Sequence, residues 1–240
     1  MRMVLFFLFF RKTEAAQKNL TKKKRTVPLF FFLTISLFLS CSSPPQGYVI
    51  LCAGDSITEQ GYTRFLQRML NREGIRARVL NYGKSGYTSG EYLNFLKENE
   101  SELAEERPDF ILVQLGTNDV REDYDSTSAR QFYTQMKEII SIFQRFRSRS
   151  DKASRIFLAL IPPIPEGIPF PFTGNSTKRV PREINPLIHQ ICTEEHVSLV
   201  DNYSLFLGSP HLLPEIHPSE QGYRALAQNW FEALKVHMKP

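Results

Sequence analysis

From residue 48 onward, short apolar runs alternate with longer stretches in which apolar residues recur every three or four positions. Residues 48–53 (YVILCA) read as a strand, and a helix is predicted over about 62–72. Residues 78–81 form a short second strand. Residues 90–106 make a Glu-rich helix with Leu93, Leu96 and Leu103 along one side. The run 109–115 (DFILVQL) is almost continuously apolar, as expected of a strand covered on both faces. A long helix is predicted over 127–147, where Phe132, Met136, Ile139, Ile140 and Phe143 keep helical spacing. Residues 155–161 make a fourth strand, ended by Pro162 and Pro163. A helix over 184–196, a fifth strand at 198–200 and a closing helix over 221–237 complete the pattern.

Strands that alternate with helices of this length imply a parallel sheet joined by right-handed crossovers. Five of them predict an α/β fold, a three-layer α/β/α sandwich around a five-stranded parallel sheet. No internal repeat interrupts the pattern, and 240 residues suit one buried domain better than two. In such sheets ligands bind beyond the carboxyl ends of the strands, so chemistry is sought just after each strand.

Charge is distributed unevenly. Residues 1–41 hold eight Lys or Arg against a single acid, Glu14, leaving 22 basic and 24 acidic residues for 42–240. The basic balance of the chain therefore belongs to its first segment and gives no reason to expect a nucleic-acid partner. That segment reads as targeting: Lys22-Lys23-Lys24-Arg25 precede an apolar stretch, 27–40, of signal-peptide length. The stretch is short for a membrane span, which needs about 20 apolar residues. It ends in Leu39-Ser40-Cys41, which resembles a bacterial lipobox and implies lipidation at Cys41. A plain signal peptide is the alternative. The division expected is a targeting segment 1–41, a tether 42–47 and a domain 48–240, held at the cell envelope by the lipid anchor or exported. A second apolar patch within residues 1–20 reads as lying upstream of the true start. Cys41, Cys52 and Cys192 show no metal-ligand spacing, and the last two read as small core residues.

The candidate chemistry follows the strands. Ala53-Gly54-Asp55-Ser56-Ile57-Thr58 follows the first, Asn81-Tyr82-Gly83-Lys84-Ser85-Gly86 the second and Gly116-Thr117-Asn118-Asp119 the third. Glu215-Ile216-His217-Pro218 precedes the last helix. A serine hydroxyl needs a base within hydrogen-bond reach to become a nucleophile, and His217 is the candidate base for Ser56. The segment 53–58 has no glycine two residues after the serine, so it is not a GxSxG elbow.

In their order along the chain, these four blocks resemble the SGNH/GDSL hydrolase superfamily, a resemblance covering about residues 48–234. It implies the flavodoxin-like arrangement of the sheet and an ester hydrolase acting through an acyl-serine on Ser56. It further implies an oxyanion hole made by the backbone N–H groups of Ser56 and Gly86 and the side-chain amide of Asn118. A glycine lets substrate approach the backbone closely, and a neutral amide donates without competing for the proton. Asp55 and Asp119 read as structural hydrogen bonders. Tyr87, beside Gly86, is a candidate substrate-binding wall, and the proline-interleaved stretch 162–181 reads either as an acyl-binding flap or as packing.

The family pattern fails at the acid. An Asp is usual three residues before the histidine, but Pro214 stands there and Glu215 lies two before. Glu215 is expected to orient His217, the alternative being a Ser–His dyad whose ring is held by a backbone carbonyl. No metal or organic cofactor is implied. The expected substrate is an ester of a glycan O-acetyl group, a lipid or another acyl group. An acyltransferase or a non-catalytic binding lipoprotein are the alternatives. His189 and His196 read as ordinary residues in or at the end of a helix, where a cation suits the dipole. His211, before the active-site loop, reads as ordinary too, with lining that loop as the alternative.

Overall fold

The structure is a computed structural model that describes residues 47–124 and 126–238. The expected targeting segment and Cys41 lie outside the described residues. Five strands form one sheet: β1 Tyr48–Gly54, β2 Ala77–Gly83, β3 Phe110–Gln114, β4 Arg155–Leu160 and β5 Ser198–Asp201. Every pairing is parallel and the order is β2-β1-β3-β4-β5. The chain therefore leaves β1 toward one edge and returns to its other side at β3, the topological switch at which open α/β sheets carry their sites.

Alternation along the strands divides the core in two. Leu51, Ala53, Ile111, Val113, Ile156 and Leu158 face one side of the sheet, while Ile50, Cys52, Phe110, Leu112, Phe157 and Ala159 face the other. The first face is covered by α2 (Ser89–Glu98), α4 (Ala129–Gln144) and α6 (Asn185–Glu194). The second is covered by α1 (Thr63–Arg72) and the closing helix, Glu220–Lys235. The three-layer sandwich expected from the alternating pattern is the architecture found. Cys52 and Cys192 are both buried, as small core residues should be.

The helix predicted over 90–106 is two helices, α2 and α3 (Glu100–Glu105), parted at Asn99. There the Asn99 side chain donates to the Phe95 carbonyl at 2.8 Å, the local competition with the helix ladder that asparagine offers. Two further helices have no counterpart in the sequence reading: α5 (Gly174–Arg179), inside the proline-rich stretch, and α7 (Asn202–Leu207). Six residues are too few to display a helical period, and each starts at a capping side chain, Thr173 or Asp201. The closing helix is accordingly α8. Among the described residues, no helix is long and apolar enough to cross a membrane.

Candidate active site

Four loops meet at the carboxyl edge of the sheet around the β1/β3 switch. After β1, Ser56 opens a helical turn that continues through Thr58–Tyr62. Its N–H stands in the first position of the turn, where no intrahelical acceptor exists. The turn is built on Asp55. One carboxylate oxygen accepts from the Ile57 N–H at 2.9 Å, and its carbonyl accepts from the N–H groups of Thr58 and Glu59 at 3.2 and 3.0 Å. Asp55 is fully buried, and loss of hydration pushes its carboxyl up to about 7, with Asp119 adding repulsion.

His217 comes from the other end of the chain. Its loop is pinned at the base, where the Leu212 carbonyl accepts from the Ser219 N–H at 2.9 Å, and Ser219 also caps α8 through the Gly222 N–H. Buried Leu213 and Pro218 anchor the segment on either side of the histidine. This presents His217 Nε2 at 2.8 Å from Ser56 Oγ. Gln60, one turn beyond Ser56, places its amide nitrogen 3.5 Å from the same Nε2, and the Tyr223 hydroxyl stands 3.5 Å from the Gln60 carbonyl oxygen. The ring is partly buried. Lost hydration lowers its pKa below the ordinary 6.5, and the Glu215 carboxylate partly opposes that.

The expected orientation of His217 by Glu215 has no hydrogen bond behind it. Glu215 is exposed, and among the described residues neither it nor a backbone carbonyl bonds to Nδ1. The physical reason is the loop: with Leu213 buried and Leu212 tied to Ser219, the shortened segment turns Glu215 outward. Glu215 reaches the imidazole only through its charge.

The remaining expected residues lie on the loops after β2 and β3. Gly86 has φ +81°, a conformation that glycine adopts without strain. Among the described residues its N–H donates to no group. Asn118 is buried and donates one amide hydrogen to the Tyr87 carbonyl at 3.0 Å, leaving a second. That bond ties the Gly86 and Asn118 loops together. The Tyr87 side chain is half-buried against the core. Asp119 is buried and accepts from the Ser89 N–H and hydroxyl at 3.0 and 2.5 Å, while its carbonyl accepts from buried Arg179 at 3.1 Å. Glu59, Gln60 and Arg179 are the neighbours that the sequence reading did not single out. Nothing in their spacing marks them.

A cavity of about 440 Å³ lies beside the proline-rich stretch after β4, lined by Ile164, Ile168, Phe172, Thr177 and Lys178 among others. Ser56 and His217 do not line it. The stretch is tied to the β3 loop by the Glu122 N–H, which donates to the Pro171 carbonyl at 2.8 Å. Among the described residues no cluster of His, Cys, Asp and Glu could hold a metal ion.

Against known proteins, residues 52–225, more than half of the chain, match the model of the GDSL-like Lipase/Acylhydrolase family. The chain belongs to that family. The match takes in Ser56, Gly86, Asn118 and His217. Among curated relatives, a "Multidomain esterase" of Ruminococcus flavefaciens is 25% identical over 250 residues, covering 86% of this chain and 31% of that protein. "Esterase TesA" of Pseudomonas aeruginosa is 40% identical over 77 residues, which are 29% of this chain and 37% of the other. The chain thus spans about a third of the length of these curated relatives. The crystal structure of a lipase/acylhydrolase from Enterococcus faecalis superposes with a TM-score of 0.66 at 20% identity, covering 80% of this chain and 98% of that one. That likeness shows the shared fold.

Proposed function

We propose that this chain is a serine ester hydrolase in which Ser56 and His217 work as a pair. The observation that carries the reading is the 2.8 Å contact between Ser56 Oγ and His217 Nε2. In this reaction Ser56 Oγ attacks the ester carbonyl carbon while its proton passes to Nε2. The oxyanion so formed faces the N–H groups of Ser56 and Gly86 and the free amide hydrogen of Asn118. Collapse breaks the bond to the alcohol oxygen, which leaves with the proton from Nε2, and the acyl group stays on Ser56. Water then repeats the two steps and frees the acid. The lowered pKa keeps His217 neutral, and so able to accept the proton, at neutral pH.

The reading extends to location. The basic tract, the apolar run 27–40 and the order Leu39-Ser40-Cys41 support removal of the first segment and lipidation of Cys41 at a bacterial envelope. Esters on envelope glycans or lipids are then the substrates within reach. A panel of p-nitrophenyl esters from acetyl to octanoyl tests the activity. Turnover that rises with chain length points to lipid or other long-chain acyl esters, a preference for acetyl points to O-acetyl esters, and no turnover of any member removes the reading. Intact mass of the membrane fraction tests the anchor: a mature chain that starts elsewhere than at lipid-modified Cys41 overturns it.

A further inference from the structure

The loop that carries Gly86 is held by a residue outside the four motif blocks. Lys84 to Tyr87 form a β-turn, closed by the Tyr87 N–H on the Lys84 carbonyl at 3.2 Å, with Gly86 at φ +81° in the third position. That is the signature of a type II turn, which differs from type I by a flip of its central peptide. Here the central peptide joins Ser85 to Gly86, so the flip decides which way the Gly86 N–H points.

Glu59 grips Ser85, the residue that leads into this peptide, from the other loop. One of its carboxylate oxygens accepts from the Ser85 N–H at 3.1 Å and also from the Ser85 hydroxyl. The Glu59 backbone is docked against the same loop. Its carbonyl accepts from the Asn81 amide at 2.9 Å, and a Cβ on Gly83 would fall 2.3 Å from the Glu59 nitrogen, so only glycine admits the contact. Glu59 lies three residues after Ser56 in the turn that Asp55 organises. One carboxylate therefore links the turn carrying the nucleophile to Ser85, the residue directly before the Gly86 N–H.

We propose that Glu59 is a positioning residue that holds Ser85 at the second position of the turn and thereby fixes the following Ser85–Gly86 peptide with its N–H turned toward the Ser56 oxyanion. The inference rests on the ester-hydrolase reading. Glu59 itself touches neither substrate nor the transferred proton; its effect passes through the Gly86 N–H. Such a donor acts mainly on the charged intermediate, so its loss appears in kcat and hardly in KM.

The test compares wild type, E59A and E59Q on one p-nitrophenyl ester, with thermal unfolding measured alongside. E59A is expected to lose roughly 10- to 100-fold in kcat with KM within about threefold of wild type. E59Q keeps an oxygen that accepts from Ser85 and is expected to recover most of the loss. The rate of covalent inactivation by a nitrophenyl phosphonate, which also develops negative charge on oxygen, should follow kcat across the three proteins. A purely structural role would lower the unfolding temperature without this split. If E59A does not fold, E59D, whose carboxylate is one methylene short of Ser85, is expected to show the same kcat loss. Wild-type kcat in E59A or E59D, or a loss confined to KM, overturns the proposal. A wild type that cleaves no ester removes the hydrolase reading instead, so the two failures are distinguishable.

Discussion

Nε2 of His217 stands 2.8 Å from Ser56 Oγ, while Glu215, two residues before the histidine, acts on the same ring only through its charge. With neutral His217 as the proposed base, activity should fall as the pH drops through its pKa. Lost hydration places that pKa below 6.5, with Glu215 opposing the shift in part. The acid limb of kcat/KM should accordingly have its midpoint below about 6.5. The Glu215 carboxylate favours the imidazolium, so E215Q should move the limb to still lower pH. Its plateau should stay within roughly tenfold of wild type, because no hydrogen bond to the ring is lost. A limb that stays put or moves upward would remove the charge contact, whereas a plateau loss near 10⁴ would restore Glu215 as the orienting acid.

Asn118→Ala should reduce kcat by about 10²–10³ with a small change in KM, since the missing donor serves the charged intermediate. The bond from Asn118 to the Tyr87 carbonyl is lost with it, so some loosening of the Gly86 loop adds to the effect. Steady-state kinetics at the pH plateau check the split, and a loss confined to KM would make Asn118 a substrate contact only.

Long apolar runs made the sheet legible. The stretch 109–115 reads as a strand covered on both faces, and its alternation with helices and shorter strands leaves few arrangements. Ser56, Gly86, Asn118 and His217 were visible because each directly follows a strand or precedes the last helix. The fate of Glu215 was not, because it depends on the Leu212–Ser219 bond that closes its loop, a contact that no spacing records. Glu59 and Gln60 are polar residues in a turn, where neither period nor spacing separates a functional side chain from a solvated one. Their importance shows only once β1 and β2 lie side by side.

Buried Asp55 makes stability depend on pH. Its pKa is raised in the fold from 3.8 to about 7, so between those values the folded chain binds more protons than the unfolded one. Its contribution to stability should therefore fall as pH rises from about 4 to about 7, by at most about 4 kcal/mol. D55N cannot ionise and should escape this loss. The difference in unfolding temperature, D55N minus wild type, is expected to be more positive at pH 8 than at pH 5. Equal differences at the two pH values would show that folding does not raise the Asp55 pKa.

The central claim is that Ser56 is the nucleophile and His217 its base. Peptide mass mapping after treatment with a nitrophenyl phosphonate tests this most directly, because the reagent bonds only to an activated nucleophile. A single adduct on Ser56 is expected, formed in step with the loss of ester hydrolysis, absent from S56A and strongly slowed in H217A. An adduct on another residue, or undiminished hydrolysis by S56A, would contradict it.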